Sequence, residues 1–191
     1  MMFLQPKHIT VEELIKRCKT GDRKAQELLY KQFASKMLAV CMRYAVDRME
    51  AEDMLQNGFI KVFKKMDDYR GDGSFEGWIR RIMVHSSIEY YRKHHKMMQV
   101  VDIEESGYEG SVNPLAASNL DAKDLMNLIQ KLSPGYRMVF NLYALEGYSH
   151  KEIAEIAGIT EGASKSQLSR ARGILKEQVE KMEGNRYEYA R

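Results

Sequence analysis

Lys165, Ser166, Gln167, Ser169, Arg170 and Arg172 crowd one short stretch of this chain, with Lys176 a turn further on. Cations interleaved with short hydrogen-bonding groups suit duplex DNA, because Lys and Arg neutralise phosphate while Gln and Arg can pair with base edges. The residues upstream say how such a row would be held. Ser149 with Glu152 three residues on is a capping box, which satisfies free N–H groups at a helix start from both sides. Ile153, Ala154 and Ala157 give that helix a small apolar face, so a neighbour can approach closely. Gly158 supplies the left-handed turn that ends it. Thr160 is placed to cap the next helix, with Leu168 turned inward and the polar row, Gln167 included, turned outward. A cap, a tight turn and a cationic outer face together read as a helix-turn-helix whose second helix enters a major groove.

Two more faces carry chemistry. Arg81, His85, Glu89 and Arg92 lie along one polar strip of a predicted helix, and Lys93-His94-His95-Lys96 follows. Aromatic rings beside cations could hold unstacked bases, the rings offering π faces and the cations neutralising phosphate. The run from Arg92 to Lys96 reads in that sense, whereas Trp78, near the start of the same helix, reads as a roof over a bundle. On an earlier helix Asp53, Gln56, Asn57, Ile60 and Lys64 recur at spacings of three, four and seven residues, a face separate from the Leu55/Phe59/Phe63 stripe. Polar helix faces are the rule, but a mixed Asp/Gln/Asn surface around an apolar Ile also suits docking onto a protein.

Enzymatic chemistry finds little footing. No phosphate-cradling glycine loop and no His/Asp/Glu spacing of a hydrolytic metal site are present. His94 and His95 are adjacent, so their side chains diverge on a helix. Plentiful serines lack a base at a recognisable spacing. No catalytic residue, metal or cofactor is expected.

The elements that would position these faces are helical almost throughout. The 191 residues are 44% hydrophobic and 30% charged with only 3 Pro, which suits a mainly helical protein, and the net charge of +3 is too weak to bind nucleic acid without local clusters. Thr10 with Glu13 opens a short helix ending near Gly21. Asp22 restarts the chain, and Ala25, Leu29, Phe33, Met37, Val40 and Tyr44 mark a long buried stripe. A third helix spans about Glu50 to Met66, the segment Asp67 to Gly73 is a loop, and Ser74 caps a fourth helix reaching about Lys96. Periodicity fails from Met97 to Asn119, where Asp102, Glu104, Glu105 and Glu109 have no basic residue to offset them. That segment reads first as a solvated spacer, and its sign would also let it fold over a cationic neighbour. Leu125, Leu128, Ile129 and Leu132 then line a helix, Ser133-Pro134 opens the next, and the last helix ends around Lys181 before a frayed tail.

The expected fold is therefore all-α, in two small helical domains: 1–96, a linker over 97–119, 120–183 with the helix-turn-helix, and a tail over 184–191. Cys18 and Cys41, without Cys-x-x-Cys spacing, are expected as reduced packing residues. The N-terminus lacks the apolar core of a signal peptide, and no run of about 18 apolar residues occurs. A cytoplasmic location with no membrane insertion is expected.

Four stretches in this order resemble the extracytoplasmic-function sigma factors of bacterial RNA polymerase, in the sigma-70 family. Thr20-Gly-Asp-Arg-Lys-Ala-Gln-Glu-Leu-Leu-Tyr is similar to the opening of the first domain, and Ala51-Glu-Asp-Met-Leu-Gln-Asn-Gly-Phe-Ile-Lys-Val-Phe to the helix that docks on the polymerase clamp. Phe75-Glu-Gly-Trp-Ile-Arg-Arg-Ile with Ile88-Glu-Tyr-Tyr-Arg-Lys is similar to the helix that melts and reads the minus-ten element. The helix-turn-helix resembles the reader of the minus-thirty-five element. The resemblance implies that Asp53, Gln56, Asn57, Ile60 and Lys64 meet the clamp. It places Arg81, His85, Glu89, Arg92, Lys93 and Lys96 at the minus-ten strand, and Lys165, Ser166, Gln167, Ser169, Arg170, Arg172 and Lys176 at the minus-thirty-five duplex. It implies RNA polymerase core, promoter DNA in duplex and single-stranded form, and an anti-sigma factor as partners, with the polymerase supplying the catalytic site.

The chain departs from the family pattern at five positions, four of them in these sets. Asn57 replaces a common acidic residue, His85 stands where many members have Asn, and Glu89 where many have Asp. Ser164 stands where Val is usual and Gln167 where Arg is frequent, which would shift base preference from guanine toward adenine if Gln167 reaches a base. The competing readings are a helix-turn-helix regulator that acts without core polymerase, and a helical enzyme acting on nucleic acid.

Overall fold

The computed structural model describes residues 9–94 and 122–189, and the regular elements among them are helical. They gather into two compact units: residues up to Met42 with Asp47–Ser87 form the first, and Arg43–Val46 with the residues from Ile88 onward form the second.

The first unit is built on α1 (Val11–Lys19), α2 (Arg23–Met42), α3 (Arg48–Lys64) and most of α4 (Phe75–His94). Side-chain caps start each helix. Thr10 Oγ1 accepts from the Glu13 amide at 3.3 Å, and Asp22 Oδ1 accepts from the amides of Lys24 and Ala25 at 2.8 and 3.2 Å. Asp22 Oδ2 meanwhile receives Nε and Nη2 of Arg17 at 2.9 and 2.6 Å, so one carboxylate caps α2 and anchors the end of α1. The cap of α3 is Asp47, which accepts from the Glu50 amide at 2.8 Å and starts the helix slightly before the periodicity alone suggests. Ser74 caps α4 through the Gly77 amide at 3.0 Å.

The stripe of α2 is buried as its spacing predicts, from Ala25 and Leu29 through Phe33, Met37 and Val40. Tyr44, past the end of that helix, is buried too but belongs to the Arg43–Val46 segment of the second unit. Met54, Leu55, Phe59 and Val62 of α3 and Ile79, Met83 and Val84 of α4 complete this core. Phe63 is only half-buried, at the edge of the expected stripe. Gly58 permits the close approach of α4 to α3, since a Cβ there would land on the Met83 side chain. Trp78 roofs the bundle: its ring stacks on Phe75 with centroids 5.5 Å apart, and Tyr69 packs against both. Met66–Asp68 forms one 3-10 turn at the start of the predicted loop. Cys18 and Cys41 are buried free thiols.

The second unit carries α5 (Ala122–Lys131), α6 (Pro134–Phe140), α7 (His150–Ala157) and α8 (Glu161–Tyr189). Leu128, Ile129, Leu132, Met138, Val139, Leu142 and Ile153 form its core with Leu168, Ala171 and Leu175 of α8. Pro134 occupies the first turn of α6 as expected, although the Ser133 side chain makes no capping hydrogen bond. A π-turn over Asn141–Leu145 follows α6, and Gly147, with φ of 78°, reverses the chain toward α7. The last helix does not stop near Lys181 but runs to Tyr189. Residues 182–189 contain no proline and a single glycine, too weak a break to end a helix that is already propagating.

Candidate functional site

The helix-turn-helix forms as its sequence signals require. Ser149 Oγ accepts from the Glu152 amide at 3.3 Å, and Glu152 Oε2 accepts from the Ser149 amide at 2.8 Å, which closes the capping box. The Ser149 amide, and the Ser149 hydroxyl that also donates to Glu152 Oε2 at 2.7 Å, hold the Glu152 carboxyl below the usual carboxylate range. Gly158 ends α7 at φ 71° and ψ 37°, in the left-handed region. Thr160 Oγ1 accepts from the Ala163 amide at 3.0 Å and starts α8.

Along α8 the predicted row divides. Lys165, Ser166 and Lys176 are exposed, and Ser169, Arg170 and Arg172 are half-exposed. Gln167 is buried, at 5% exposure, and this corrects its expected place on the outer face. The reason is angular: Ser164, Leu168, Ala171 and Leu175 define the inner stripe of α8, and Gln167 stands beside Leu168 and one turn before Ala171 on that same side. Its polar type argued for solvent and its spacing argued for the core; spacing prevailed.

The exposed cations are lightly tethered. Lys165 pairs with Glu161 at 2.7 Å and Lys176 with Glu180 at 3.9 Å, surface pairs one helical turn apart that a competing phosphate can displace at little cost. Arg170 Nη1 donates to the Tyr136 hydroxyl at 3.4 Å. Arg172 stands over the ring of Tyr143, its guanidinium carbon 5.4 Å from the centroid. That ring stacks on His150 at 4.7 Å, and His150 Nδ1 lies 2.9 Å from Ser164 Oγ. Burial lowers the pKa of His150, with Lys165 and Arg172 acting in the same sense and Glu161 against them. Tyr143 and His150 escaped the sequence reading. The available signal was Ser164, a hydroxyl on an inner stripe, which demands a partner.

In the first unit the α3 face is intact. Asp53, Gln56, Asn57, Ile60 and Lys64 are all exposed, and Ile60 shows 51% of its surface to solvent. A groove between α2 and α3, lined by Tyr30, Leu38, Leu55 and Gln56, borders that face and shares Gln56 with it. On α4, Arg81, Glu89, Arg92 and Lys93 are exposed and His85 is half-buried. Lys96, His95 and the acidic 97–119 segment lie outside the described residues. His94 stacks on Tyr90 at 4.0 Å, and its Nδ1 lies 2.9 Å from the Tyr90 carbonyl oxygen. Among the described residues no cluster of three or more His, Cys, Asp or Glu could hold a metal, and no helix is long and apolar enough to cross a membrane.

Residues 29–97 match the family model described as Sigma-70 region 2, and residues 122–175 that of Sigma-70, region 4. The chain is 27% identical over 184 residues to the ECF RNA polymerase sigma-E factor of Haemophilus influenzae, covering 90% of this chain and 96% of that one. It is 25% identical over 175 residues to the RNA polymerase sigma-H factor of Pseudomonas aeruginosa, covering 86% and 91%. Among solved structures, a co-crystal of the sigma factor RpoE with the anti-sigma factor NepR from Bartonella quintana aligns with TM-score 0.48 at 24% identity, over 81% of this chain and 96% of that one.

Proposed function

The chain belongs to the extracytoplasmic-function (ECF) sigma factors of the sigma-70 family, and from that premise we propose how its surfaces divide the work of initiation. Its function is to bind RNA polymerase and direct promoter-specific transcription initiation. Residues 1–96 act as the polymerase-binding and minus-ten domain, 97–119 as the linker and 120–183 as the minus-thirty-five domain. The regulator acting without core polymerase is not favoured, because the region 2 match occupies the part such a regulator would devote to sensing or dimerisation.

The face of Asp53, Gln56, Asn57, Ile60 and Lys64 docks on the polymerase clamp. An exposed Ile ringed by polar groups provides the apolar centre and polar rim of a protein interface, and the α2–α3 groove extends it. On α8, Lys165, Ser166, Ser169, Arg170, Arg172 and Lys176 meet the minus-thirty-five duplex, with the cations on phosphates. On α4, Arg81, His85, Glu89, Arg92 and Lys93 receive the displaced strand of the minus-ten element, together with Lys96 further along the chain. Capturing flipped bases there offsets an unstacking cost of a few kcal/mol per base.

No step of this mechanism is catalytic in the chain itself; the polymerase carries out the chemistry, and the chain requires no cofactor. It acts in the cytoplasm, and an anti-sigma factor is its third partner. One observation carries the division of labour: the α3 face and the cationic face of α8 belong to different compact units. Asp53→Ala is therefore expected to weaken core-polymerase binding and spare duplex binding, and Lys165→Ala to do the reverse. Equal effects of both substitutions on core binding would refute the assignment.

A further inference from the structure

Four side chains from three elements form a closed circuit on the second unit. Ser164, fully buried in the first turns of α8, faces His150 Nδ1 at 2.9 Å. His150, the first residue of α7, stacks on Tyr143 of the π-turn with an interplanar angle of 25°. Tyr143 in turn lies beneath the guanidinium of Arg172, so the circuit returns to α8 two turns beyond Ser164. Tyr143 is itself 36% exposed, which puts its contact with Arg172 at the protein surface.

A free arginine loses much rotamer freedom when it grips a phosphate, and that loss subtracts from affinity. An aromatic face that already holds the guanidinium removes part of the cost, and it leaves the N–H edge of the planar group open for an anion. The ring beneath is itself supported, by its stack on His150, whose Nδ1 is paired with Ser164. Burial, Lys165 and Arg172 all favour the neutral imidazole, so the support does not repel the cation it helps to hold.

The geometry points to Tyr143 as a positioning residue that, backed by His150, holds Arg172 ready for a DNA backbone phosphate. This rests on the reading of α8 as the duplex-facing helix. Tyr143 acts through Arg172 and need not touch DNA.

The test uses the full chain assembled with core polymerase, and a promoter duplex selected by that holoenzyme from a random library. Tyr143→Leu is expected to weaken duplex binding by about two- to fivefold, the range of an exposed cation–π contact. Tyr143→Phe keeps the ring and is expected to bind as the parent does. Arg172→Ala is expected to lower the slope of log affinity against log salt by about 0.9, one phosphate contact. In the Arg172→Ala background, Tyr143→Leu and His150→Ala are expected to add no further loss, which a merely structural role would not produce. If Tyr143→Leu costs as much without Arg172 as with it, the positioning role is overturned while the reading of α8 stands. If Arg172→Ala leaves both affinity and salt slope unchanged, Arg172 leaves the duplex-facing set and the inference falls with it.

Discussion

Ser164 Oγ and His150 Nδ1 are 2.9 Å apart, which ties the first turns of α7 and α8 together across the tight turn at Gly158. Ser164 is wholly buried, so its hydroxyl must be paired inside the protein. Ser164→Ala is expected to cost about 1 kcal/mol, the net worth of one such bond. A thermal melt of the purified chain should show the lower midpoint, and an unchanged midpoint would mean that the bond contributes nothing.

Gln167 faces the interior of the helix-turn-helix, so it should not choose bases. Gln167→Leu is expected to leave the preferred minus-thirty-five sequence unchanged when holoenzyme selects duplexes from a random library. Ser166→Ala or Ser169→Ala, on the outer side of α8, should alter it. A shift in preferred bases with Gln167→Leu alone would show that the side chain swings outward on DNA.

Both thiols should be inert in the native state. Burial pushes Cys41 up to about 11 and raises Cys18 as well, so neither offers much thiolate at neutral pH. A thiol-reactive dye at pH 7.5 is expected to label the folded chain slowly and the denatured chain at both positions at once. Rapid labelling of the folded chain would contradict the packing described for α1 and α2.

Acid should weaken the fold in two stages. His150 titrates below its usual 6.5 because the folded state favours the neutral ring, so the unfolded chain takes up its proton first. Its contribution is complete above about 6.5 and is lost as pH falls from there through the lowered folded value. Asp22, held down chiefly by its bonds from Arg17, and Glu152, Glu161 and Glu177 have lowered carboxyl pKa values. Their contribution is present above the ordinary carboxylate range and disappears as pH drops through the lowered values. Urea unfolding measured from pH 8 to pH 3 should show both stages, and His150→Gln should flatten the first alone. An unaltered profile in that variant would contradict the assignment.

Much of this fold is legible in the chain because its cues are local. Asp22, Ser74, Ser149 with Glu152, Gly158 and Thr160 act on residues two to four positions away, and the α2 stripe from Ala25 to Val40 follows the helical period directly. The α3 face was legible for the same reason. What escaped depends on contacts between elements or on competing cues. Gln167 was misplaced because side-chain polarity and angular position disagreed. The column of His150, Tyr143 and Arg172 joins residues from three elements, and no spacing rule marks it. The end of α8 was misjudged because a single glycine does not stop a helix.

In the proposed division of labour the α3 face grips the polymerase while α8 serves the promoter. The most direct measurement is the affinity of fluorescently labelled chain for bacterial RNA polymerase core, compared among the parent, Ile60→Asp, Asp53→Ala and Lys165→Ala. Ile60 is half exposed, so its replacement should spare the fold, and a charge at the apolar centre of the interface should weaken core binding by about tenfold or more. Asp53→Ala should weaken it less, and Lys165→Ala should leave it unchanged. Core binding that survives Ile60→Asp intact but fails with Lys165→Ala would contradict the account.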